Sequence, residues 1–171
     1  MVQMIVANTA LVAFACLMAW AAWCDVRNFT IPNWIPAALI AVWVVAAPVL
    51  QPGWAFAGLS LAAFAGVLAA GLALWAPGWL GGGDVKLIAA GALWFGWPDA
   101  LAFLLYAMAA GGVLALVLMG LRRLGPILPV SAHALGKTAL AQGAPAPYAV
   151  AIAAGALLLL PSSMIFAAYQ A

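Results

Sequence analysis

The sequence predicts an all-α fold. It reads as a polytopic membrane bundle of about six transmembrane helices, with both termini outside and residues 1–171 forming one membrane-embedded unit. Three observations carry this. Of 171 residues, 70% are hydrophobic and 5% are charged, against about a quarter charged in a soluble domain. Apolar runs of spanning length, about 20 residues each, are separated by turns that carry Pro and Gly. Under that division all five Lys and Arg residues fall on one face.

The elements follow in order. The first span runs from about Met4 to Cys24. No Lys or Arg precedes its apolar run, so it lacks the positive start of a secretory signal and reads as a permanent span. The second runs from about Trp34 to Leu50, with Asn33 placed as an N-cap and Pro36 tolerated in the first turn. Gln51-Pro52-Gly53 forms a turn, the third span covers about Trp54 to Trp75, and Ala76-Pro77-Gly78 breaks it.

The fourth span is the informative one. Val85 to Trp97 alone would cover about 20 Å, short of the ~30 Å hydrocarbon core. To cross, it must begin near Leu80 and take in Asp84 and Lys86. Gly96-Trp97-Pro98-Asp99 is the next turn, and the fifth span runs from about Ala100 to Leu121. Arg122-Arg123 then opens a long Pro- and Gly-broken connection to Pro147. The last span is about Tyr148 to Tyr169.

Arg27, Lys86, Arg122, Arg123 and Lys137 share a face under this division, and the positive-inside rule makes that face cytoplasmic. Asp25 and Asp84 lie on it and Asp99 lies outside. Small residues at helical spacing, Ala107, Gly111 and Ala115, suit close helix packing. Trp23, Trp34, Trp54, Trp75, Trp79 and Trp97 fall near span ends, as in an aromatic belt.

Composition also narrows chemistry. Net charge is +2, and no basic or aromatic-basic face points to nucleic acid. Cys16 and Cys24 stand about 12 Å apart on a helix, too far for a disulfide. One His, no Glu and no Cys-x-x-Cys leave no metal site and no cofactor expected. His133 reads as a polar residue of the connection.

The chain has three acidic residues, all Asp. Acids near a bilayer are costly and mark function. Asp25 and Asp84, ending at one membrane face, suggest a two-aspartate site. Two carboxylates a few ångströms apart do not both ionise readily, so they share a proton. One then activates a water and the other polarises a carbonyl, which is aspartic-type peptidase chemistry. The plainer alternatives are that Asp84 is a helix N-cap and that Asp25 is a solvated acid following the first span. Gly81, Gly82 and Gly83 are either a flexible turn or a place where an extended substrate backbone approaches the carboxylate. Lys86 does not face Asp84 on a helix; it reaches headgroups or another element. Asn28 and Asn33 lie near Asp25 and suit turns and caps.

These residues resemble the type IV prepilin peptidases, membrane aspartyl proteases. The family's Gly-x-Gly-Asp reads here Gly81-Gly82-Gly83-Asp84, continuing Val85-Lys86-Leu87. Its first Asp, at the end of a span and followed by Ile-Pro-Asn, is similar to Asp25 with Ile31-Pro32-Asn33. Pro147-Tyr148 is similar to a Pro-aromatic element that opens the last span. The resemblance is closest to short members that process tight-adherence (Flp-type) pilins, and it extends less closely to archaeal preflagellin peptidases. It departs from long bifunctional members, which carry an added cytoplasmic segment, often with paired Cys-x-x-Cys, so N-methylation of the pilin is not carried over.

The resemblance implies catalytic Asp25 and Asp84, supported by Gly81, Gly83 and Lys86. It implies a bacterial inner-membrane enzyme that cuts the short basic leader from a prepilin after a Gly, at the cytoplasmic face. The competing readings are a small proton- or ion-coupled transporter and a non-enzymatic membrane subunit of a pilus or secretion machine. The presenilin-type enzymes share Gly-x-Gly-Asp but pair it with Tyr-Asp, where this chain has Cys24-Asp25.

Overall fold

The computed structural model describes residues 2–50, 53–124, 139, 144–163 and 166. They form an all-α membrane bundle. α1 is Val2–Asn28, α2 Trp34–Leu50, α3 Trp54–Trp75, α4 Gly82–Phe95, α5 Asp99–Leu124 and α6 Tyr148–Leu159. A 3₁₀ turn, Leu160–Ser162, follows α6. α1, α3 and α5 are long and apolar enough to cross a membrane, and α2 and α6 are shorter apolar helices. α2 and α3 have the limits expected from sequence.

α4 begins at Gly82 and not near Leu80, because Gly81 is extended, with φ −68° and ψ 138°. Three further elements differ from expectation, each for a local reason. α1 continues past Cys24 to Asn28 because no Pro or Gly stops it, so Asp25 lies within the helix and not after it. It ends where Phe29 takes a left-handed conformation, φ 52°, and donates its N–H to Asp25 C=O at 2.8 Å. That geometry is a helix stop usually given to Gly or Asn. α5 runs three residues beyond Leu121, to Leu124, and its last turn carries Arg122 and Arg123, whose charges suit a helix C-terminus. α6 gives way to the 3₁₀ turn because Pro161 cannot continue the α-helical ladder. The remainder of the expected last span falls, Phe166 apart, outside the described residues.

α4 sits at the centre. Its 14 residues rise only about 21 Å, and it packs against α2, α3, α5 and α6. Val85, Leu87 and the whole run Ala89–Phe95 are buried. A helix this short persists because neighbouring helices and not lipid surround most of it. Its far end anchors the aromatic core. Trp94 lies 4.7 Å from Phe14 between ring centres, Phe14 meets Phe95 edge-on at 5.8 Å, and Phe95 meets Phe103 at 5.1 Å. The Trp94 indole N–H donates to Leu39 C=O at 3.0 Å, which ties α4 to α2.

Glycines set the close approaches. Lipid gives apolar helices little drive to associate, so intimate packing must hold them. A Cβ on Gly155 would stand 2.5 Å from the Ala107 backbone, and one on Gly111 would stand 2.6 Å from the Tyr148 ring. Two of the three small residues expected to pack on α5 therefore face α6, whereas Ala115 is exposed. All six tryptophans assigned to an aromatic belt are exposed.

The end of the bundle that matters gathers the C-terminal ends of α1, α3 and α5 and the N-terminal ends of α2, α4 and α6. Arg27, Lys86, Arg122 and Arg123 are all there, and Asp99 begins α5 at the opposite end. Lys137 and His133 lie outside the described residues, as does most of the connection between α5 and α6.

Candidate active site

A recess of about 240 Å³ opens at that end of the bundle. Its walls are the last turn of α1, the non-helical link 29–33 and the start of α4. Asp25, Phe29, Thr30, Ile31, Asn33, Gly81, Gly82, Gly83 and Asp84 line it. Both aspartates singled out from sequence thus face one space, 59 positions apart in the chain, and they lie within electrostatic reach of each other.

Asp25 is 6% exposed. Its Oδ2 accepts the backbone N–H of Ala149 at 2.9 Å. Ala149 is the second residue of α6, and Pro147 occupies that helix's N-cap position without making a side-chain cap. A helix start normally takes a Ser, Thr, Asp or Asn side chain at that place to accept a first-turn N–H. Here Asp25 accepts it from 124 positions away. The carboxylate is thereby oriented by a helix N-terminus, whose partial positive charge favours an anion.

Asp84 does not cap α4. The N-cap is Gly81, in extended conformation with φ −68° and ψ 138°, and Asp84 is the third helical residue. Its carboxylate folds back toward the helix start, so closely that a Cβ on Gly81 would stand 2.6 Å from Asp84 Oδ2. Gly82 and Gly83 belong to the first turn of α4 and are not an interhelical turn. A Cβ on Gly83 would come within 3.2 Å of Ile31 Cβ, and one on Gly82 within 3.3 Å of Trp75 Nε1. The glycine run lets the α4 start lie close beside the 29–33 link and leaves space at the carboxylate.

Lys86 is exposed and reaches another element. Its Nζ donates to Asn33 Oδ1 at 2.8 Å. Asn33 does precede α2, as an N-cap would, but its side-chain oxygen takes the ammonium. The pair bridges the starts of α2 and α4 at the rim of the recess. Arg27 stacks over Trp23 at 4.4 Å, a cation–π contact one helical turn apart. Cys16 and Cys24 are both free.

Sequence reasoning missed Ala149, whose part is played by its backbone. Pro147 at the start of α6 was the available signal, because a proline there leaves the helix start without a side-chain acceptor. It does not say which distant acceptor comes.

A family model, the type IV leader peptidase family, matches residues 12–116. The match takes in most of α1 to most of α5 and includes Asp25, Asn33, Gly81 to Asp84 and Lys86. This chain belongs to the type IV leader peptidase family. The family implies a membrane peptidase of the prepilin-processing kind. Neither the curated proteins nor the solved structures yield a match to this leader peptidase.

Proposed function

We propose that this leader peptidase is an aspartic-type endopeptidase, with Asp25 and Asp84 as its catalytic pair and the leader of a Flp-like prepilin as its substrate. The observation that carries the reading is the recess: two of the chain's three acids line one small space at one end of a lipid-solvated bundle. One aspartate, ionised, takes a proton from a water as its oxygen attacks the scissile carbonyl. The other, protonated, gives its proton to the carbonyl oxygen. The tetrahedral diol then collapses: the first aspartate passes its new proton to the nitrogen as the C–N bond breaks, and the second recovers a proton from a diol hydroxyl. Gly81 and Gly83 keep the approach to Asp84 open, and Lys86 braces the rim through Asn33.

Topology supports the same reading. Arg27, Lys86, Arg122 and Arg123 share the end that holds the recess, and such a bias marks a cytoplasmic face. A prepilin in the bilayer keeps its basic leader on that face, so the bond before its apolar helix comes level with the recess. We place the enzyme, multi-pass and with residues 1–171 as one unit, in the bacterial inner membrane with both termini outside.

The test is co-expression with a tagged Flp-type prepilin. Asp25→Asn is the sharp variant, because Asn accepts a first-turn N–H as well as Asp does yet carries no acid–base proton. Loss of leader removal in Asp25→Asn and Asp84→Asn, with both proteins at wild-type abundance in membranes, is the expected result. Processing by Asp25→Asn would reduce Asp25 to a cap for α6.

A further inference from the structure

Asp25 accepts one distant amide, the Ala149 N–H, and the helix that carries it packs on α5. Two contacts fix how α6 lies on α5: the Tyr148 ring against Gly111, and Gly155 against the backbone of Ala107. A third controls the segment that leads into α6. Arg122, in the last turn of α5, donates from Nε and Nη2 to Ala139 C=O at 3.1 and 2.8 Å. Nη2 also donates to Ala144 C=O at 2.8 Å. Three residues after Ala144 comes Pro147, then Tyr148, then Ala149 with its N–H on Asp25.

This is not the ordinary fate of a basic side chain at a membrane edge, which extends to headgroups and water. Arg122 is partly buried, and its donors are used on two carbonyls of the connection. Two nitrogens on one carbonyl, with one of them also serving a second carbonyl, require a rigid planar fork. A lysine ammonium is a point charge on a flexible stem and does not reproduce it.

We propose that Arg122 is a positioning residue for Asp25: its guanidinium clasps the connection so that α6 begins where its first-turn N–H meets the carboxylate. Its effect on cleavage rests on the two-aspartate reading; the contact itself does not.

The test uses the full-length protein in lipid nanodiscs. Arg122→Lys keeps the charge that sets topology and removes the fork. Arg123→Lys, at the exposed neighbour, is the matched control. Ala149→Pro removes the N–H itself, and it serves if Arg122→Lys does not accumulate. For Arg122→Lys and Ala149→Pro, kcat for a Flp-type prepilin falls at least about tenfold while KM stays within about twofold. Hydrogen exchange at Ala149 becomes at least about tenfold faster in Arg122→Lys and in Asp25→Ala. Arg123→Lys changes neither. Wild-type kcat in both Arg122→Lys and Ala149→Pro would overturn the proposal, as would unchanged Ala149 exchange in Arg122→Lys. If the wild type cleaves no prepilin, the two-aspartate reading fails, and the exchange measurement still decides whether Arg122 holds the contact.

Discussion

At the scale of single residues, the three glycines before Asp84 separate fold from chemistry. A methyl at Gly81 meets the Asp84 carboxylate at 2.6 Å, which is the mobile end of a side chain and not backbone. The fold can absorb Gly81→Ala by rotating that carboxylate, and the proposed reaction cannot. We expect kcat to fall by about 10- to 100-fold, the scale of an ångström's misplacement, with thermal unfolding unchanged. Gly83→Ala instead presses on Ile31 Cβ at 3.2 Å and should cost both stability and rate. Gly82→Ala meets only the edge of Trp75 and should be the mildest of the three. Steady-state cleavage and melting curves for the three variants check this order. Much of the site was legible at this scale, because three acids in 171 residues leave few candidates. The end of α1 at Asn28 was not, since it depends on Phe29 accepting a left-handed φ that its side chain does not favour.

At the scale of elements, α5 and α6 act as a platform. Gly155 lies on the Ala107 backbone, so a methyl there cannot be relieved by a side-chain rotation. Gly155→Ala should force the helices apart and destabilise the protein by about 1–3 kcal/mol. Because α6 carries the Ala149 N–H, activity should fall as well. Gly112→Ala, one residue after Gly111 but facing open space, should leave both unchanged. Thermal unfolding in detergent, read beside cleavage, tests the pair. Helix limits were legible where Pro and Gly punctuate the chain, as at α2 and α3. The shortness of α4 was visible as a span too short to cross, but the remedy was not. The sequence suggested a start near Leu80, whereas the helix begins at Gly82 and depends on the helices packed around it. Contacts such as Lys86 with Asn33 or Asp25 with Ala149 join residues 53 and 124 positions apart; no local pattern encodes which distant group answers an unsatisfied one.

At the scale of the whole molecule, charge and recess coincide at one end. That coincidence makes a prediction about sidedness. In a background with Cys16→Ala and Cys24→Ala, Thr30→Cys beside the recess should react with a membrane-impermeant thiol reagent only when the cytoplasmic face is exposed. Trp54→Cys, 92% exposed at the opposite end, should react from the outside of intact cells. Labelling of Thr30→Cys in intact cells would invert the topology and place the recess away from a prepilin's leader. Composition made the bundle legible, because so few charges leave lipid as the only compatible solvent. The order in which helices pack around α4 was not legible, since apolar faces in lipid carry little information about their partners.

In the proposed mechanism Asp25 and Asp84 work as one pair. The most direct measurement is single-turnover cleavage of a purified Flp-type prepilin by the wild type, Asp25→Asn, Asp84→Asn and the double variant, in the same bilayer. Each single variant should lose at least about 10³-fold in rate, the upper part of the range for an acid–base group. The double variant should lose no more than either, because the residues act as a unit. Cleavage by either single variant near the wild-type rate, or losses that multiply in the double variant, would contradict the account.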